Sequence, residues 1–258
     1  MKTIAFLSII ILLTSCKSNR NETLLPSLDK QSLYPTLFNA EVKDDWCYWK
    51  PSPADGDSCN VSYTGVCNTR LDTILYFTEG TTKKAVIIFG TYMFDEHGMD
   101  QSHVAAPVVS IAVTQKQENG YWEVVKFVKN FGQHGSWGQQ PDYGITQFGK
   151  HFFLYEDWGY TNQGCTEHWK ILWHLPSLVE SLRIDGIDDS GLREDPRQVS
   201  QFEESIIDAS SGKETKVVVK KTGMIYEEGK GQVSIDESRE YLLNDSNVFI
   251  KIHQQQPE

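Results

Sequence analysis

The chain has 258 residues, with 24 lysines and arginines against 35 aspartates and glutamates, a formal net charge of −11 at neutral pH. That balance repels a phosphate backbone and so argues against nucleic acid as a partner, whereas a cationic protein or a bound cation is accommodated. The length suits one large domain or two small ones.

The first sixteen residues carry an export pattern. Lys2 supplies a positive charge, residues 4–13 are apolar, and the run Leu13-Thr14-Ser15-Cys16 ends on small residues and a cysteine. An apolar stretch of about ten residues is too short to span a bilayer, which needs about 20. The run resembles the lipobox of bacterial lipoproteins, with its leucine three positions before the cysteine. That resemblance implies that residues 1–15 are a signal peptide and that Cys16 is the lipidated first residue of the mature protein. Several acyl chains on one cysteine, palmitate-like in character, make a stable membrane anchor. Lys17 stands after the cysteine where an aspartate would signal retention. By the same resemblance this points to the outer membrane of a bacterial envelope, with the body facing the periplasm or the cell surface.

Residues 16–40 are read as anchor and tether, polar with scattered leucines. A flexible chain of that length spans about 25–30 Å. The body, residues 41–252, is expected to be mainly β, and residues 253–258 a tail. Aromatic residues make up 12% of the chain and β-branched residues come in short runs, the composition of strands. Strands are expected over residues 71–78, 85–94, 104–115 and 121–131. Val86-Ile87-Ile88-Phe89 suggests burial on both faces, and Pro107 places the start of its strand after it. Asn119-Gly120 favours a tight turn, since both residues tolerate positive φ. Further strands are expected over 152–156, 170–175, 178–184, 199–208, 215–221 and 248–252, with a Ser210-Ser211-Gly212 turn. No segment predicts a helix of several turns. The architecture is an antiparallel sandwich, or two small abutting β units that divide near residues 185–197, where glycines and aspartates cluster.

Beyond Cys16 the cysteines are Cys47, Cys59, Cys67 and Cys165. An even count in an oxidising compartment permits two disulfides, with three pairings open. Full oxidation would tie Cys165 to the early group. The spacings lack the Cys-x₂-Cys knuckles of zinc sites, so no metal is expected there.

Residues 131–143 form the most unusual segment of the body, glycine-rich and carrying His134, Trp137 and Tyr143. With Trp158 and Tyr160 these are the candidate binding residues, able to stack on a sugar ring or a partner's side chain. Asp95, Glu96, His97, Asp100 and His103 form a second cluster suited to acid–base work or a cation. His168 and His174 share one face of a strand about 20 Å apart, too far for one metal. Neither a Gly-x-Ser-x-Gly elbow nor a phosphate-cradling glycine loop occurs, so no catalytic residue and no cofactor are assigned.

These features favour a lipid-anchored envelope protein that binds another envelope macromolecule, or inhibits a toxin or hydrolase, over an enzyme. The alternative is an envelope hydrolase or a glycan-binding module. The expected partners are the membrane, through Cys16, and a protein or glycan.

Overall fold

The computed structural model describes residues 23–51, 66–93, 106–135 and 139–252. The leader, Cys16, Cys59, the 95–103 cluster, Trp137 and the tail lie outside the described residues. Two antiparallel sheets make up the body.

The first sheet is seven-stranded, in the order β1-β7-β6-β5-β4-β3-β2. Its strands are β1 (Leu24–Leu25), β2 (Val42–Lys43), β3 (Trp46–Trp49), β4 (Cys67–Glu79), β5 (Thr82–Met93), β6 (Val108–Lys116) and β7 (Trp122–Gln133). β6 starts directly after Pro107, as expected. The β6–β7 turn forms at Asn119-Gly120, where Gly120 holds φ of 86° and donates to the Gln117 carbonyl.

Both faces of this sheet are covered, and β5 shows why its run is apolar throughout. Ala85, Ile87 and Phe89 point to one side with Ala112, beneath α1 (Lys30–Phe38). Val86 and Ile88 point to the other with Val109, Ile111 and Val113, against the second sheet. All four residues of Val86-Ile87-Ile88-Phe89 have no exposure.

The second sheet is eight-stranded, in the order β15-β14-β13-β12-β11-β10-β9-β8. It comprises β8 (Asp142–Phe148), β9 (His151–Asn162), β10 (Cys165–His174), β11 (Val179–Asp188), β12 (Gln201–Asp208), β13 (Lys216–Glu227), β14 (Gly231–Leu243) and β15 (Phe249–Lys251). This sheet curls into a half-barrel. Its two edges approach at one end, where Phe249 of β15 lies 6.5 Å from Phe148 and 5.6 Å from Phe153. Phe153, Leu172, Leu182, Ile184, Val217 and Val219 fill the hollow behind them.

Two expectations are corrected. The tether does not run to residue 40. Leu24–Leu25 already pairs with β7, and α1 docks on the first sheet through Leu33, Tyr34 and Phe38. Asp29 caps the helix by accepting the Ser32 amide at 2.9 Å, and Asn39 closes it in the left-handed conformation. Pro35 inside the nine-residue helix removes a donor and hides it from pattern reading. Nor do residues 185–197 divide two units. β11 runs through Asp188, and β12 continues the same sheet. The units abut instead at the connection between β7 and β8.

A histidine pair with one buried member, His174, predicts an acid response of the body. His174 is buried, its Nε2 is 3.0 Å from His151 Nδ1, and its Nδ1 is 2.9 Å from Ser177 Oγ. Burial first, then the His151 charge, pulls His174 from its ordinary 6.5 down to about 4. His151 is lowered as well, by burial and then by Lys150. The unfolded chain therefore takes up these protons before the folded one does. The stability at stake is complete above about pH 6.5 and is lost as pH falls toward 4, up to roughly 3 kcal/mol for His174. Urea midpoints measured from pH 7 to pH 4 are expected to fall less steeply in His174→Gln than in the natural chain. Parallel slopes would show that the pair does not carry the acid response.

Candidate functional site

The two sheets meet at a polar junction built on the β8–β9 hairpin and the end of β7. On β9, alternation puts Leu154, Glu156, Trp158 and Tyr160 on one face. Leu154 seals that face into the apolar core between the sheets. Two residues on, the same face presents Glu156, a carboxylate with no exposure. Tyr143 of β8 is its register partner and Ile171 of β10 lies on its other side.

Two N–H groups hold this carboxylate. His134 Nδ1 donates to Oε2 at 2.9 Å, and Trp173 Nε1 donates to the same oxygen at 3.1 Å. The His134 ring stacks on Trp173, with centroids 5.9 Å apart and planes 16° apart. Phe131 packs edge-on against Trp173 at 4.5 Å. Glu156 thereby orients the His134 ring through Nδ1. A carboxylate-oriented imidazole is the base half of a catalytic triad. No described hydroxyl or thiol hydrogen-bonds to Nε2, so the nucleophilic half is not assembled among the described residues.

Several polar atoms here have no hydrogen-bond partner among the described residues, although they are buried. They are both amide atoms of Gln140, the Tyr143 hydroxyl and the Trp158 indole nitrogen; Glu156 Oε1 lies 2.9 Å from His134 Nδ1. Burial first, then the Glu156 charge, pushes the Tyr143 phenol far up, so it stays protonated. The Gln140 amide lies over Gly90 of β5, in space that a Cβ at that position would fill, so only glycine admits it. Trp158 packs on Trp169 with centroids 4.5 Å apart.

Of the sequence candidates, His134, Tyr143, Trp158 and Tyr160 are brought to one side of the second sheet. The carboxylate that completes the group is Glu156, not Asp142 or Asp157, which alternation turns to the opposite face as each other's register partners. Glu156 was legible as a charged residue on an otherwise apolar strand face, between Leu154 and Trp158. Trp173 carried no such signal.

Cys59, one of the disulfide candidates, lies outside the described residues. Cys47 and Cys165 are free thiols. Cys47 and Cys67 lie on adjacent strands of the first sheet, whereas Cys165 opens β10 in the second. Burial pushes the Cys47 thiol up to about 12, which leaves it a poor nucleophile. Of the two histidines read against a metal, His168 faces Asp157 at 3.5 Å while His174 pairs with His151. Among the described residues, no three of histidine, cysteine, aspartate and glutamate gather as a metal centre requires. Asp188 accepts from the Ser190 amide and Asp195 from the Arg197 amide, each within its own turn.

The fold and this junction define a two-sheet β protein with a buried carboxylate–imidazole pair. Comparison with known proteins finds no matching family, no similar curated protein and no similar solved structure.

Proposed function

We propose that this chain is a lipid-anchored protein of the bacterial envelope that binds another envelope macromolecule, in the first place a protein. The face carrying His134, Trp158 and Tyr160, with Tyr143 and the buried Glu156 behind it, is the binding surface. The lipobox-like run ending at Cys16 supports the anchor and the compartment.

The observation that carries the binding role is the set of buried polar atoms at the sheet junction that have no hydrogen-bond partner among the described residues. A buried donor or acceptor left without a partner costs about 1–3 kcal/mol, and folded proteins pair more than about 90% of such groups. Concentrating several at one junction is a cost that folding alone does not return. A partner whose docking shifts these side chains and supplies matching groups returns it. The acidic balance of the chain further favours a basic partner, as an inhibitor of a basic toxin or hydrolase requires.

A second reading, glycan binding, is favoured by the Trp158–Trp169 pair beside an amide, a phenol and a carboxylate. Aromatic faces with a few placed polar groups suit a sugar.

Crosslinking in the native envelope, followed by purification, tests both. One stoichiometric protein partner is expected, reduced in a Cys16→Ser form that cannot be lipidated. Recovery of glycan alone supports the second reading. Recovery of neither, with intact lipidated protein, would overturn the binding role.

A further inference from the structure

The second sheet contains a seam. β12 pairs with β13 along its whole length, and β11 pairs with β10 along almost all of its own. Between β11 and β12 the ladder holds only Ile187 to Phe202 and Asp188 to Gln201. Beyond those pairs the two strands part. The Asp189 amide donates to the Ser200 carbonyl at 3.1 Å. Hydrogen-bonding groups alternate along a strand, so the main chain of Asp185 and Arg183 also points toward β12. Glu204 and Ile206 point back by the same rule. In place of a ladder bond, the Glu204 carboxylate accepts the Asp185 amide at 3.3 Å. The far end is closed where Ser181 Oγ donates to the Asn247 carbonyl at 2.5 Å.

A solvent-open pocket of about 330 Å³, its mouth included, lies in this opening. Trp169, Lys170, Asp185, Gly186, Glu203 and Glu204 line it. Its charge is unbalanced toward acid. Lys170 is already opposed by Asp157 at 3.5 Å, and Arg239, 3.9 Å from Glu204, is held more closely by Glu237 at 2.9 Å. Asp185 and Glu203 face solvent, and Arg183, the nearest cation to Asp185 along its strand, is held by Glu180 at 2.9 Å. Trp169 offers an aromatic wall suited to a cationic side chain.

We propose that this seam receives an extended, basic segment of a partner protein. The segment adds to the open edges of β11 and β12 as a strand does, through main-chain hydrogen bonds, and seats a lysine or arginine against Asp185, Glu203 and Glu204. Charge complementarity selects this occupant, since the pocket and the whole chain are acidic. The seam adjoins the junction through Trp169, which packs on Trp158, but its carboxylates Asp185, Glu203 and Glu204 take no part in the His134–Glu156 pair, and the proposal rests on them alone.

The test uses the full chain and three synthetic heptapeptides. One alternates lysine and valine, one alternates glutamate and valine, and one is the lysine peptide N-methylated at alternate residues to remove backbone donors. Tryptophan fluorescence reads binding, and amide exchange reads its location. The lysine peptide is expected to bind saturably and to slow exchange at residues 183–185 and 204–206. Loss of backbone donors, or the double change Glu203→Gln with Glu204→Gln, is expected to weaken it about tenfold or more. Glutamine keeps the acceptor for the Asp185 amide, so the seam stays as it is. Absence of saturable binding, protection elsewhere, or equal binding by the acidic or methylated peptide would each overturn the proposal.

Discussion

Glu156→Ala is expected to destabilise the protein by about 3–5 kcal/mol, because it removes one partner of a buried charge-assisted network. Glu156 has no exposure, and it accepts from both His134 Nδ1 and Trp173 Nε1. Truncation leaves these two N–H groups without an acceptor at a site that water does not freely reach. It also opens a void between Leu154 and Trp158 on the strand face. Glu156→Gln keeps an acceptor for one or both donors and removes the charge, so it should lose less than half as much. Urea unfolding at pH 7, followed by tryptophan fluorescence, separates the two variants. An alanine variant within about 1 kcal/mol of the natural chain would show that the carboxylate does not organise the junction. The glutamine variant also bears on function. If partner binding depends on the ionised carboxylate and not on its shape, binding falls in Glu156→Gln while stability is largely kept.

Phe38→Ala is the other large change, at about 3–5 kcal/mol. Phe38 is 3% exposed and ends α1. Its ring meets Phe89 at 5.1 Å, Phe127 at 5.6 Å and Trp49 at 5.8 Å, two of the three nearly edge-on. It is therefore the main rivet between helix and sheet. An isolated nine-residue helix with an internal proline has little stability of its own and depends on this packing. Loss of the ring is expected to lower the urea midpoint and to expose residues 24–40 to limited proteolysis under native conditions. Unchanged proteolysis with a lowered midpoint would mean that Leu33 and Tyr34 hold the helix by themselves.

The β character of the body was legible because its signals are local. Val86-Ile87-Ile88-Phe89 alternates between two apolar surroundings, and Asn119-Gly120 has the backbone freedom a tight turn needs. The region 201–208 is a strand, as its neighbouring turn implied, although Phe202 and Ile206 also fit a helical spacing. β14 went unread because its alternation is interrupted. Glu237 and Arg239 break the alternation that Val233 and Ile235 begin and that Tyr241 and Leu243 resume, so Gly231–Leu243 shows no clean apolar pattern. α1 went unread because Pro35 interrupts a short segment that only its docking surface stabilises.

From the sequence alone come the export pattern ending at Cys16, the acidic balance, the strand-rich class and the segment that contains His134. Each depends on residue type and on neighbours close along the chain. Tertiary structure decided the rest. Glu156 meets His134 across 22 positions, Cys47 and Cys67 lie in one sheet and Cys165 in the other, and β11 and β12 part to leave an open seam. Those outcomes depend on strand order and curvature. Period-two alternation shows that a residue points to one of two sides, but only the assembled sheets determine what stands on that side.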